Sequence, residues 1–217
     1  MNLLTTAQAD AINAEVARIE ARTGVEIVAV VTAKSSHYPQ IPWKAFALGV
    51  SLAAAAAVIG DLVRPEWPAP HSAFLAVIAM LGAGAGLALS TIFVPGIARV
   101  FLRGPRRDFE VRQCAREMFL RHEVFATHDR MGVLVLVSLF ERKLEIVADR
   151  GFDGRVAAVE WRASIERMAP LVATEGPAAA LREGLSAIEA LLVEKGYGSA
   201  RPGANELPDA PREERAP

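Results

Sequence analysis

The sequence predicts an α/β protein: a three-layer α/β/α domain on a small mixed sheet, interrupted by a two-helix transmembrane hairpin. Three observations predict it. Residues 45–60 and 72–98 form two runs without a charged side chain, bracketed by Lys44 and Asp61 and by His71 and Arg99. Residues 25–32 and 132–140 are short, nearly continuous apolar stretches rich in β-branched residues, the composition of strands covered on both faces. Helical periodicity flanks both strands, so helices are available to cover the sheet.

An uncharged run of about 18 or more residues reads as a membrane span, because only a helix satisfies its own backbone within lipid. The second run exceeds that length. The first covers only about 24 Å of a hydrocarbon core of about 30 Å. It spans if Leu62 and Val63 join it, Lys44 snorkels and Trp43 sits at the interface. The competing reading, a buried hairpin in a soluble protein, conflicts with apolar residues on every face. Small residues suit close packing of the two helices: Gly49, Ala53, Ala57 and Gly60 on the first, Gly82, Gly86 and Ser90 on the second. Gly82, Gly84 and Gly86 make no dinucleotide fingerprint, since no strand precedes them and no acidic residue follows at the required distance. Pro95-Gly96 ends or kinks the second span.

Orientation follows from basic residues. Lys34 and Lys44 precede the hairpin, and Arg99, Arg103, Arg106, Arg107 and Arg112 follow it; the turn between the spans holds only Arg64. The positive-inside rule puts both termini in the cytoplasm, here of a bacterial inner (cytoplasmic) membrane.

In chain order, residues 5–23 form a helix. Thr5 and Gln8 make a capping box, Ile12, Val16 and Ile19 an apolar stripe, and Gly24 a stop. The strand at 25–32 and a loop at 35–42 lead into the hairpin. Residues 106–127 form an amphipathic helix with Val111, Ala115, Met118, Phe119 and Phe125 on its apolar face. The strand at 132–140 turns through Glu141-Arg142-Lys143 into a returning strand at 144–149. Helices follow at 156–168, ended or kinked by Pro170, and at 178–194, opened by Pro177 and closed by Gly196. The first two strands, joined through a helix, pair in parallel, and the third pairs antiparallel with the second. The tail from 197 to 217, rich in Pro, Gly and charge, reads as disordered. The organisation is therefore residues 1–34 and 106–196 as two parts of one domain, with 43–98 as the hairpin between them.

Composition excludes several function classes. A net charge of -1 leaves no nucleic-acid footprint. The arginines after the hairpin are explained by topology and anionic headgroups. Cys114 is the single cysteine, so no disulfide framework exists. The first apolar run starts too late for a signal peptide.

The ordered set of short motifs resembles the TPM-domain family. Arg22-Thr23-Gly24 precedes the first strand at Val25-Glu26-Ile27. Asp129 and Gly132 precede the buried strand, Gly151 follows the strand pair, and an apolar helical pair comes after. The stretch Asn205-Glu206-Leu207-Pro208-Asp209 is similar to the ending of bacterial membrane-bound members. The resemblance covers residues 3–33 and 106–196 and omits the hairpin. It implies either a weak acid phosphatase or calcium binder, or an accessory factor of a membrane complex. The chain departs from simple secreted members in carrying a membrane hairpin within the domain.

The predicted sheet sorts the polar residues between two ends. His128, Asp129, Arg130, Asp149 and Arg150 converge on one rim. Asp129 and Asp149 are the candidate catalytic carboxylates; His128, Arg130 and Arg150 would bind an anion or a partner. Two carboxylates with two arginines have the chemistry to hold a phosphate or a divalent cation such as calcium. The favoured reading of the same residues is a salt-bridge network that fixes the hairpin ends. The opposite end, where the chain leaves for the membrane, carries Arg142 and Lys143, expected with Arg103, Arg106 and Arg107 at the lipid surface. His122, Glu123 and His128 lack metal-ligand geometry, because adjacent helical residues diverge. Asp149, Asp153 and Glu160 lack the spacing of an EF-hand loop. Ser138 lies in a strand rather than at a nucleophile elbow. Cys114 and Trp161 read as packing residues and Trp67 as interfacial.

Three functions compete. The first is a non-enzymatic module that binds a membrane or cytoplasmic protein, without a cofactor. The second is a phosphatase-like hydrolase using the Asp/Arg rim with a divalent cation. The third is a scaffold that forms homo-oligomers through Gly82 and Gly86.

Overall fold

The computed structural model describes residues 3–63, 69–102, 104–197, 207 and 211–214. Its contacts divide the chain into two compact units, residues 1–37 with 107–217, and residues 38–106.

The first unit is the α/β domain. Helix α1, Thr6–Thr23, opens with a reciprocal cap in which the Thr5 N–H donates to Gln8 Oε1 at 2.9 Å and the Gln8 N–H to Thr5 Oγ1 at 3.3 Å. It ends at Gly24, whose φ of 68° is the left-handed geometry that a helix stop favours in glycine. Strands β1, Glu26–Thr32, and β2, Gly132–Ser138, are buried along their whole length. They pair in parallel from Glu26↔Gly132 to Thr32↔Ser138. Strand β3, Lys143–Ala148, returns antiparallel on β2.

Alternation divides the strand residues between two cores. Ile27, Ala29, Val31, Val133, Val135 and Val137 pack with α1 and with the helices Ala158–Thr174 and Pro177–Glu194. Val28, Val30, Leu134 and Leu136 pack against Val111, Cys114, Ala115 and Met118 of the helix Gly104–Arg121. Helices thus cover both faces, the three layers expected from apolar strands.

The second unit is an apolar helical hairpin. Helix α2 spans Gln40–Val63 and helix α3 Ala69–Phe93, 24 and 25 residues, both with mean hydropathy 2.1 over their candidate spans. At 1.5 Å per residue each exceeds a hydrocarbon core of about 30 Å. Leu62 and Val63 do extend the first span. Leu52, Ile59, Phe74, Leu81 and Phe93 are among the large apolar side chains left exposed, a pattern that marks a surface meeting lipid or another protein. Helix α3 stops before Pro95, which opens the short helix α4, Pro95–Val100. The helices Gly104–Arg121, Ala158–Thr174 and Pro177–Glu194 are α5, α6 and α7 in chain order.

Four expectations are corrected. Gly82 and Gly86 do not pack the hairpin; an added Cβ at either meets nothing within 4 Å. The contact belongs to Gly84, whose added Cβ would lie 2.7 Å from Val50 and 2.9 Å from the Phe46 ring. Gly49 is placed as expected, its added Cβ 2.7 Å from the Ala83 carbonyl. A helix apolar all round offers no polarity contrast to mark its inner face, and residues two apart lie on nearly opposite sides. Second, α6 continues through Pro170 to Thr174. Third, α5 ends at Arg121, and Glu123 at φ 53° turns the chain into a short 3-10 segment, Val124–Ala126. Fourth, the tail is not wholly without structure: Arg212–Glu214 forms strand β4, parallel to β1, in the order β3-β2-β1-β4. The Glu213 carboxylate accepts the Leu3 and Leu4 N–H groups, and the Leu207 N–H donates to Glu26. A three-residue polar strand has no period to recognise; the open edge of β1 makes it a strand. Asn205, Asp209, Arg64 and Trp67 lie outside the described residues.

Candidate functional site

The parallel pairing of β1 and β2 gives the sheet two distinct ends. At one, Arg130 at the approach to β2 meets Asp149 at the exit of β3. The guanidinium donates from Nε to Asp149 Oδ2 at 2.7 Å and from Nη2 to Oδ1 at 3.1 Å. Asp149 Oδ1 also accepts the Arg150 N–H at 2.8 Å. The Asp149 side chain is 5% exposed, so all this bonding satisfies a carboxylate withdrawn from water. Arg130 has φ 57°, and its carbonyl accepts the Gly151 N–H at 2.9 Å. A Cβ on Gly151 would lie 2.5 Å from that carbonyl, so glycine is required for the close approach. Arg130 also stacks over the Phe125 ring at 5.8 Å.

Of the five residues expected to converge, the structure joins Arg130, Asp149 and the Arg150 backbone. The His128, Asp129 and Arg150 residues are exposed. Among the described residues no hydrogen bond or ion pair links the Asp129 carboxylate to this pair. The arrangement is a clamp on the strand ends; Asp129 stands beside it in solvent.

The other end holds a group that sequence reasoning missed. Glu141, expected in a polar surface turn, is 1% exposed. Its carboxylate accepts the Ser35 N–H at 3.1 and 3.3 Å and the Ser138 hydroxyl, tying the loop after β1 to the turn after β2. The Leu139 and Phe140 N–H groups extend that tie to the Thr32 and Ala33 carbonyls, both at 3.0 Å. The parallel register, which sets Thr32 beside Ser138, was the signal that could have placed Glu141 near Ser35. Burial lowers the Lys34 amine from its ordinary value, against the pull of Glu141, and Lys34 lies 5.0 Å over Phe140. The Cys114 thiol is pushed up to about 11, first by burial and then by Glu117.

The residues expected at a lipid surface divide. Arg103 lies outside the described residues. Lys143 pairs with Asp108 at 2.9 Å, and Arg107 lies 3.7 Å from the same carboxylate. Arg142, at φ 50°, and Arg106 are exposed.

Comparison with known proteins agrees with this architecture. The family model described as the TPM domain matches residues 103–191, from the start of α5 into α7. The NMR structure of the BA42 protein from the psychrophilic bacterium Bizionia argentinensis aligns with a TM-score of 0.58 at 14% identity, over 98% of this chain and 97% of that one. At that identity the likeness is one of fold. No curated protein matches the chain. Residues 103–191 therefore match the TPM domain, and the sheet they build takes its β1 strand from the segment before an apolar hairpin.

Proposed function

We propose that this chain is a membrane-anchored TPM domain that serves as a non-enzymatic interaction or accessory module of a membrane complex. One observation carries the reading: both oxygens of Asp149, the better placed of the two candidate carboxylates, are already bonded to Arg130 and to the Arg150 N–H. A carboxylate engaged in this way holds a turn together and has little capacity left to activate water or bind a cation. The two long apolar helices support an anchor in the bilayer. The excess of arginine after the hairpin supports a bacterial inner membrane with both termini cytoplasmic. Its partners on this reading are the lipid bilayer and a membrane or cytoplasmic protein, with no nucleic acid and no resident cofactor.

The test is phosphatase turnover by the purified full chain, with and without calcium or magnesium, beside Asp129→Asn and Asp149→Asn. No cation-dependent turnover above background is expected. Cation-dependent turnover abolished in both variants would replace this reading with the hydrolase.

A further inference from the structure

The edge of β1 away from β2 is closed by the chain's own tail. The Glu26 N–H donates to the Met131 carbonyl at 3.2 Å and the Leu139 N–H to the Thr32 carbonyl at 3.0 Å, so Glu26, Val28, Val30 and Thr32 bond toward β2. Ile27, Ala29 and Val31 therefore direct their N–H and C=O groups to the outer edge. The Ile27 N–H is taken by Glu20 of α1 at 2.7 Å. Val31, paired with Glu213, bonds to β4. In that register Arg212 and Glu214 turn their backbone groups toward β1, and Glu213 turns its own away. Pro211, just before the strand, has no N–H to offer. A short, charged strand behind a proline is a poor template for a further one.

Three residues of the tail reach both helical layers. Side chains of paired residues share a face, so Glu213 lies with Val31 on the α1 side and Arg212 with Val30 on the α5 side. The Glu213 carboxylate accepts the Leu3 and Leu4 N–H groups at 2.9 and 2.7 Å, just ahead of α1. The Arg212 guanidinium meets His122 Nδ1, just past α5. Farther back along the tail, the Leu207 N–H donates to Glu26 at 3.1 Å. The seat thus reads an adjacent Arg–Glu pair at a fixed register. Few bonds hold the strand in it, so β4 is the part of the sheet that opens at the lowest free energy.

The 14 residues 198–211 separate Tyr197 from the strand. Fully extended, they reach about 45–50 Å, against a radius of gyration of about 15 Å for a domain of this size. A tail released from its own seat therefore reaches the identical seat of a neighbouring copy, and an anchor in one bilayer keeps copies side by side. We propose that β4 is an exchangeable strap: the β1 edge takes Arg212–Glu214 of a second copy as well as its own, joining two chains by reciprocal strand addition. A second copy is the occupant that reproduces every contact of the seat. The exchange goes beyond the accessory-module reading and borrows only its membrane anchor; phosphatase turnover in the test above would leave it untouched.

The test co-expresses two full chains with different affinity tags and illuminates native membranes. One chain, the donor, carries a benzophenone amino acid in place of Pro211, beside the strand but outside its bonds. An adduct bearing both tags is expected, mapping on the recipient to the segment between Leu3 and Thr32. Glu213→Lys in the donor removes the acceptor for the Leu3 and Leu4 N–H groups and should cut that adduct about tenfold. This variant lies in the tail and should keep the parent's far-ultraviolet circular dichroism. An excess of synthetic peptide with the sequence of residues 205–217 should compete the adduct away. Adducts confined to single chains would overturn the exchange and leave β4 a fixed part of its own domain. A two-tag adduct unaffected by Glu213→Lys and by the peptide would overturn it too, because the chains would then touch through another surface.

Discussion

Arg130 and Asp149 form a two-bonded pair, 2.7 and 3.1 Å, that closes the end of the β2–β3 hairpin. The partners are unequal: the Arg130 side chain is 50% exposed and that of Asp149 5%. Removing the arginine lets water reach part of the carboxylate. Removing the carboxylate also frees the Arg150 N–H. Asp149→Ala is therefore expected to cost about 2–4 kcal/mol and Arg130→Ala about 1–2 kcal/mol. Thermal unfolding in detergent checks the order of the two losses.

Glu189 on α7 receives Arg18 at 2.6 and 2.8 Å and Arg22 at 2.9 Å, fastening α1 to α7. The Arg18 bond, above the opposing effect of burial, holds its carboxyl below the ordinary value of 4.5. A carboxyl lowered in the folded state contributes fully above its unfolded value. That contribution disappears as pH falls through the folded value. Both arginines are about half exposed, so screening limits the contribution to about 1 kcal/mol. Stability measured from pH 7 down through the acid range should fall less steeply in Glu189→Gln than in the parent.

Cys114 is 2% exposed, and burial pushes its thiol up to about 11. The thiolate is the reactive form, so the folded chain should resist maleimide at pH 7 and react at once after denaturation. Rapid labelling of the folded chain would show that α5 does not cover the sheet as described.

Gly84 and Gly82 are two residues apart with opposite surroundings. Gly84→Ala pushes a methyl group against Val50 and Phe46, whereas Gly82→Ala points into open space. Overpacking of this kind costs about 1–3 kcal/mol. Thermal stability in detergent should drop for Gly84→Ala and stay within error for Gly82→Ala.

Local signals made much of this fold legible. The Thr5–Gln8 cap, the Gly24 stop, the doubly apolar strands and the Pro95 break each rest on neighbours a few residues away. The features that escaped depend on distant partners. Glu141 is buried only because β1 and β2 align Thr32 with Ser138 and so bring Ser35 near. Strand β4 exists because β1 offers an edge. In the hairpin, residue size alone could not say whether Gly82 or Gly84 turns inward. The carboxylate rim was half legible: the approach of Arg130 to Asp149 follows from antiparallel register, but the solvent position of Asp129 depends on the left-handed turn at Arg130.

The central claim, that this domain works by holding a partner, is tested most directly by photocrosslinking in native membranes. A benzophenone amino acid would replace Arg162 on α6, Asp129 beside the Arg130–Asp149 pair, or Arg182 on α7. A discrete adduct with another protein is expected from at least one of these positions. No adduct at any of the three positions would contradict the claim.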